Sequence, residues 1–96
     1  KLLTVRQTDR VDALKLGLLS KKGRAYYTIG DKTLKVQVDS PDLDAKYSDF
    51  DCNFETYTNC HILEMEWLSP IVETDGNVCA ELVEKFEILS NPKVFD

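Results

Sequence analysis

The chain has 96 residues, 43% of them hydrophobic and 30% charged, and its twelve Lys+Arg against seventeen Asp+Glu leave a net charge of −5. This is the balance of a folded globular chain rather than a disordered one. Its negative field argues against nucleic acid and anionic membrane as partners, because both need a basic footprint. No stretch approaches the roughly 20 apolar residues of a membrane-spanning helix. The chain opens on Lys1 and enters a β-like run at once, Leu2–Val5, so residues 1–96 read as one β domain or as a piece of a larger one.

Short apolar runs separated by turn chemistry follow. Leu14, Leu16 and Leu18 alternate, and the run stops at Ser20-Lys21-Lys22-Gly23. Arg24–Ile29 is aromatic and β-branched, with Ala25, Tyr27 and Ile29 on one face and Arg24, Tyr26 and Thr28 on the other. Gly30-Asp31-Lys32 turns the chain into the cleanest half-buried strand, in which Leu34, Val36 and Val38 alternate with polar residues. These three runs and their two tight connections predict a meander. Ser40–Tyr47 is a polar loop. Phe50–Thr58 reads as strand, as does His61–Leu68, where Leu63, Met65 and Trp67 form a core row opposite Glu64 and Glu66. Ser69-Pro70 ends that run, and Thr74-Asp75-Gly76-Asn77 is a turn. Val78–Leu89 fits a strand through Ala80, Leu82, Phe86 and Ile88, or a helix through Val78, Leu82, Phe86 and Leu89. Six or seven closely spaced strands predict an antiparallel, all-β sandwich or part of one.

The cysteines at 52, 60 and 79 cannot all pair with one another. With the single histidine, His61, they match no usual zinc spacing. No metal or other cofactor is expected, and the thiols read as reduced and mostly buried, which points to a reducing compartment. The densest polar and aromatic stretch is Tyr47–Asn59, which mixes carboxylates, amides, hydroxyls and aromatic rings. Sugar sites use that mixture, with polar groups for the hydroxyls and flat rings for the C–H faces. Asp49, Asn53 and Tyr57 are the candidate substrate contacts in this stretch, although an Asp in the place of Asp49 more often caps a turn. Arg24 and Lys15 are further candidates. Trp67 belongs to the core row, and Glu64 and Glu66 to a solvated face.

Four pieces taken in order carry a family resemblance. They are Lys15-Leu16-Gly17, then Gly23-x-Ala25-Tyr26-Tyr27, then Tyr47-x-Asp49-Phe50-x-Cys52-Asn53-Phe54-Glu55-Thr56-Tyr57-Thr58-Asn59, and then Leu63-Glu64-Met65-Glu66-x-Leu68-Ser69-Pro70. Together they resemble the C-terminal part of galactose-mutarotase-like domains, related to bacterial aldose 1-epimerases, over about Ala13–Leu89. The resemblance implies the last portion of a large antiparallel β-supersandwich and makes Val78–Leu89 a strand. It departs at Arg24, where the family commonly has an aromatic, and at Glu73-Thr74-Asp75-Gly76, which replaces a P-G-E turn.

The implied activity is anomer interconversion of an aldose, in which a carboxylate takes the anomeric hydroxyl proton and an imidazolium protonates the ring oxygen. By position the base falls on Glu55, whose flanking Phe54 and Tyr57 are expected to desolvate it. The family's catalytic histidines lie upstream of the region matched, and His61 does not correspond to them. This chain alone is therefore expected to be inactive. The alternative is a non-catalytic carbohydrate-binding or structural β-sandwich. Strands without partners should also leave open edges and an apolar face that favour self-association or packing on the rest of a parent domain.

Overall fold

The computed structural model describes residues 2–73, 76 and 80–90. Among the described residues there is no helix. There are six strands: β1 (Leu14–Leu18), β2 (Arg24–Ile29), β3 (Lys32–Gln37), β4 (Phe54–Thr58), β5 (Leu63–Trp67) and β6 (Lys85–Ser90). They form two three-stranded antiparallel sheets, ordered β1-β4-β5 and β2-β3-β6, packed in the manner of a sandwich.

The expected meander is not formed. β2 and β3 make the hairpin, but β1 pairs with β4 in the other sheet. The crossing follows Leu18, and Asn53 fixes it. Its side-chain Oδ1 accepts from the Ser20 N–H at 2.7 Å, its Nδ2 donates to the Ser20 carbonyl at 3.0 Å, and its own N–H donates to the Leu18 carbonyl at 3.1 Å. Gly23 completes the passage with φ +71, where a Cβ would stand 2.6 Å from the Val38 carbonyl oxygen, so no larger residue fits. Alternation within β1 specifies a strand with one buried face, but not which strand it pairs with.

Other boundaries are also corrected. The strand expected over Phe50–Thr58 starts only at Phe54, because 49–52 is a tight turn. The one expected over His61–Leu68 is Leu63–Trp67, since the Asn59 Oδ1 accepts from the N–H groups of both His61 and Ile62, at 2.8 and 2.9 Å. Such an Asx turn competes with the ladder. Leu2–Val5 is not a strand. Of Val78–Leu89, the strand reading holds over Lys85–Leu89, Ala80–Glu84 has no regular structure, and residues 78 and 79 lie outside the described residues. The expected turn at 74–77 lies outside them too, apart from Gly76.

The core is small. Ala25, Val36, Phe54 and Trp67 are buried together, with Leu18, Leu34, Val38 and Met65 packed against them. The Phe54 and Trp67 rings, opposite one another across β4 and β5, have centroids 4.4 Å apart. The Trp67 indole N–H donates to the Val36 carbonyl at 3.2 Å, joining one sheet to the other. Gln7 makes a second link, donating to the Asn59 carbonyl at 2.9 Å and accepting from the Tyr27 hydroxyl at 3.0 Å.

Beyond these links the sandwich is open. Its accessible surface is 7357 Å², against about 5,600 Å² for a compact monomer of this mass. Its radius of gyration is 14.9 Å, against about 12.5 Å for a closed domain of this length. Phe86 and Ile88 pair directly with Val36 and Leu34, so they share the inner face, yet they are 62% and 67% exposed. Leu14 and Leu16 are exposed on the corresponding face of β1, beside the buried and unpartnered hydroxyls of Thr56 and Thr58.

Candidate functional site: the polar face of the β1-β4-β5 sheet

Successive strand residues point to opposite faces. In β4, Phe54 goes to the core, so Glu55 and Tyr57 go to the other side. The register then sets Gly17 and Glu66 on either side of Glu55, and Lys15 and Glu64 on either side of Tyr57. Glu55 is only 5% exposed, although it stands on the outer face. Gly17 explains how. A Cβ at that position would lie 2.7 Å from the Cys52 sulfur and 3.7 Å from the Glu55 Cγ, so the missing side chain is the space that these two groups fill. Lys15 closes the other side, with its Nζ 3.4 Å from the Glu55 Oε1.

Asp49 completes the cluster from a turn. The Cys52 N–H donates to the Asp49 carbonyl at 2.9 Å, and the two central residues, Phe50 and Asp51, have φ of +51 and +58. Positive φ at both centres is the signature of a type I′ turn, normally filled by Asn, Asp or Gly. Asp51 also ties the turn back, its Oδ1 accepting from the Tyr47 N–H at 2.9 Å. The turn sets Asp49 near enough for its charge to act on Glu55.

The electrostatics follow. Asp49 and burial together hold the Glu55 carboxyl above its ordinary value, while Lys15 opposes them. The expected desolvation by Phe54 and Tyr57 is not the leading cause, since Phe54 faces the core. Lys15 is itself raised, chiefly by the charge of Glu55. The Cys52 thiol is pushed up by burial first and then by Glu55, Asp49 and Asp51, which disfavours the thiolate that a nucleophile needs.

Of the expected site residues, Glu55, Tyr57, Asp49 and Lys15 come together. The other two do not join them. Asn53 is 2% exposed, and its amide bonds the Ser20 backbone. Arg24 opens β2 in the other sheet. His61 sits in the exposed β4–β5 turn, and the three residues from Glu55 to Thr58 alone span about 10 Å of strand. Cys52 and Cys60 are free and half-buried, less enclosed than expected. Cys79 lies outside the described residues. The parts missed in the sequence are Gly17 and Cys52, though a glycine inside a strand is itself a sign of close approach by another group.

Two depressions matter. One, of about 50 Å³, is lined by Lys15, Glu55, Thr56, Tyr57, Glu64 and Glu66. It is far below the roughly 300–1,000 Å³ of pockets that enclose a ligand, so this face offers one wall of a site. The other is an open groove of about 220 Å³ between Pro41, Tyr47, Trp67, Leu68 and Leu82. Some of its polar groups are already used: Asn53 holds Ser20, the Tyr47 hydroxyl donates to the Asp42 carbonyl at 2.7 Å, and the Trp67 indole holds Val36. Asp39, Ser40, Asp42 and Glu81 line its rim as well.

At the level the architecture defines, the described residues are all-β and form two antiparallel sheets. No family model, no curated protein and no solved structure matches it.

Proposed function

We propose that the polar face of β1-β4-β5 is a carbohydrate-recognition wall, and that the chain is part of an aldose 1-epimerase-like protein with Glu55 as the group that handles the anomeric proton. The observation that carries this reading is the near-complete burial of Glu55 on an otherwise solvated face, between Lys15, Tyr57 and Glu66. A buried carboxyl held above its ordinary value accepts a proton more readily than a free one. Tyr57 offers a ring for a sugar C–H face, Lys15 a donor for hydroxyls, and Glu64 and Glu66 acceptors. Among the described residues Lys15 is the cation lining this depression, and it already faces Glu55, so a neutral aldose is the substrate class that suits the face.

The wall is shallow, and its inner side carries exposed Phe86, Ile88, Leu14 and Leu16. Both features suit a piece that packs on further strands or on its own kind. A specific observation favours the second reading, binding without catalysis: the single histidine lies beyond the far end of β4, out of partnership with Glu55.

Exchange spectroscopy on α- and β-galactose and glucose tests the reading. A parent protein carrying this chain should accelerate exchange, and Glu55→Gln should slow it by about 10²–10⁴-fold, the usual worth of a positioned acid–base group. Binding without acceleration supports the recognition reading. No effect of any sugar on the parent protein's spectrum removes both.

A further inference from the structure

We propose that the groove between Pro41, Leu68 and Leu82 docks an extended basic peptide segment. One apolar side chain of the segment lies on the floor, and the lysines or arginines beside it meet an acidic rim. The inference is independent of the carbohydrate reading, which concerns the outer face of β1-β4-β5.

The groove lies where both sheets give out. Val38 follows β3, Trp67 ends β5, and residues 39–42 and 81–83 form the sides. Hydrogen bonds within the chain brace these walls. The Leu68 N–H donates to the Asn53 carbonyl at 2.9 Å, the Ile71 N–H to the Lys46 carbonyl at 2.7 Å, and the Tyr47 hydroxyl to the Asp42 carbonyl at 2.7 Å. A wall braced in this way loses little freedom when a partner arrives. Trp67 and Tyr47 are buried in the floor, while Leu82 and Val83 stand exposed at the lip. The space of about 220 Å³ is open, and it is smaller than the roughly 300–1,000 Å³ that encloses a whole small ligand. It suits the one or two side chains that a peptide lays into a groove.

The charge of the rim selects the peptide. Among the described residues, Asp39, Asp42 and Glu81 line the groove, and no Lys, Arg or His does. The Asp42 carboxylate is occupied locally, its Oδ1 accepting from the N–H groups of Asp44 and Ala45 at 3.0 and 3.1 Å. Neither Asp39 nor Glu81 has an ion-pair partner among the described residues. An apolar floor edged by unpaired carboxylates attracts basic segments and repels acidic ones.

The test is a titration of the full chain followed by the fluorescence of Trp67, the one tryptophan in the sequence. The probe is a nine-residue glycine-serine peptide with a central leucine between two lysines. One companion peptide carries glutamates for the lysines, and another carries glycine for the leucine. The lysine–leucine peptide should give a saturable change, and both companions should bind about 10-fold more weakly or less. Asp39→Asn and Glu81→Gln should each weaken its binding by about 2–5-fold, as expected for an exposed ion pair. Leu82→Ser, at the exposed lip, should weaken it as well. Asp31→Asn and Glu87→Gln remove the same charge away from the groove and should leave the affinity unchanged. No saturable change with the lysine–leucine peptide overturns the proposal, as does equal binding of the glutamate peptide. Equal weakening by the two remote substitutions also overturns it, because the attraction would then come from the net charge of −5 and not from the rim.

Discussion

Replacing Trp67 with alanine should unfold the chain. The side chain is one of the four described residues that form the buried cluster, its ring lies 4.4 Å from that of Phe54, and its indole N–H is the direct bond from β5 to the Val36 carbonyl of the opposite sheet. Truncating a buried aromatic costs about 3–5 kcal/mol. Small domains have on the order of 5–15 kcal/mol in total, and a sandwich this open belongs at the low end. Trp67→Phe separates the two contributions. It keeps an aromatic ring but removes the donor, and with it one net hydrogen bond of about 0.5–1.5 kcal/mol, since the Val36 carbonyl keeps its ladder partner Ala25. Urea denaturation followed by circular dichroism should find Trp67→Ala without a folded baseline and Trp67→Phe with a lowered midpoint. A folded Trp67→Ala of near wild-type stability would mean that the sheets are held together elsewhere.

The second large effect is expected at Asn53. Its amide satisfies both the N–H and the carbonyl of Ser20 at the point where the chain leaves one sheet for the other. Asn53→Ala leaves two half-buried backbone groups without their side-chain partners and should cost about 2 kcal/mol, the low end of roughly 1–3 kcal/mol for each. Asn53→Asp is the sharper probe. One carboxylate oxygen can still accept from the Ser20 N–H, but the other then faces the Ser20 carbonyl, and two acceptors repel. That variant should be destabilised at neutral pH and recover as the pH falls and its carboxyl protonates, because the protonated form restores a donor. Hydrogen exchange at Ser20 and Gly23 should speed up in both variants. Asn53→Asp with the same stability at pH 4 and pH 7 would contradict the assignment.

The same residue shows where sequence reading succeeds and stops. Alternation placed Leu63, Met65 and Trp67 on a buried row and Glu64 and Glu66 on the solvated one, because in a strand the period of two is local chemistry. The β2–β3 hairpin was legible for a similar reason, since both strands and their turn are contiguous. The partner of β1 was not legible. That choice depends on a side-chain amide thirty-three residues away, and nothing in the alternation of Leu14, Leu16 and Leu18 encodes it. Asn53 itself is chemically as suited to a sugar hydroxyl as to a backbone turn, and only burial separates the two uses. Glu55 was singled out by the motif around it. Its burial depends on Gly17 from another strand and on a turn that the β-like sequence of Phe50–Thr58 disguised. Phe50 is the misleading residue, since it has high strand propensity yet holds a turn position that glycine would fill more easily.

The most direct measurement of the central claim is the location of a bound sugar. Amide chemical-shift mapping with galactose and with glucose, on a protein that contains this chain, should move the resonances of Lys15, Gly17, Glu55, Tyr57 and Glu66, and Glu55→Gln should abolish the response. Shifts confined to the groove of Pro41, Tyr47, Leu68 and Leu82, or no shifts with either sugar, would contradict the assignment of the β1-β4-β5 face as a carbohydrate wall.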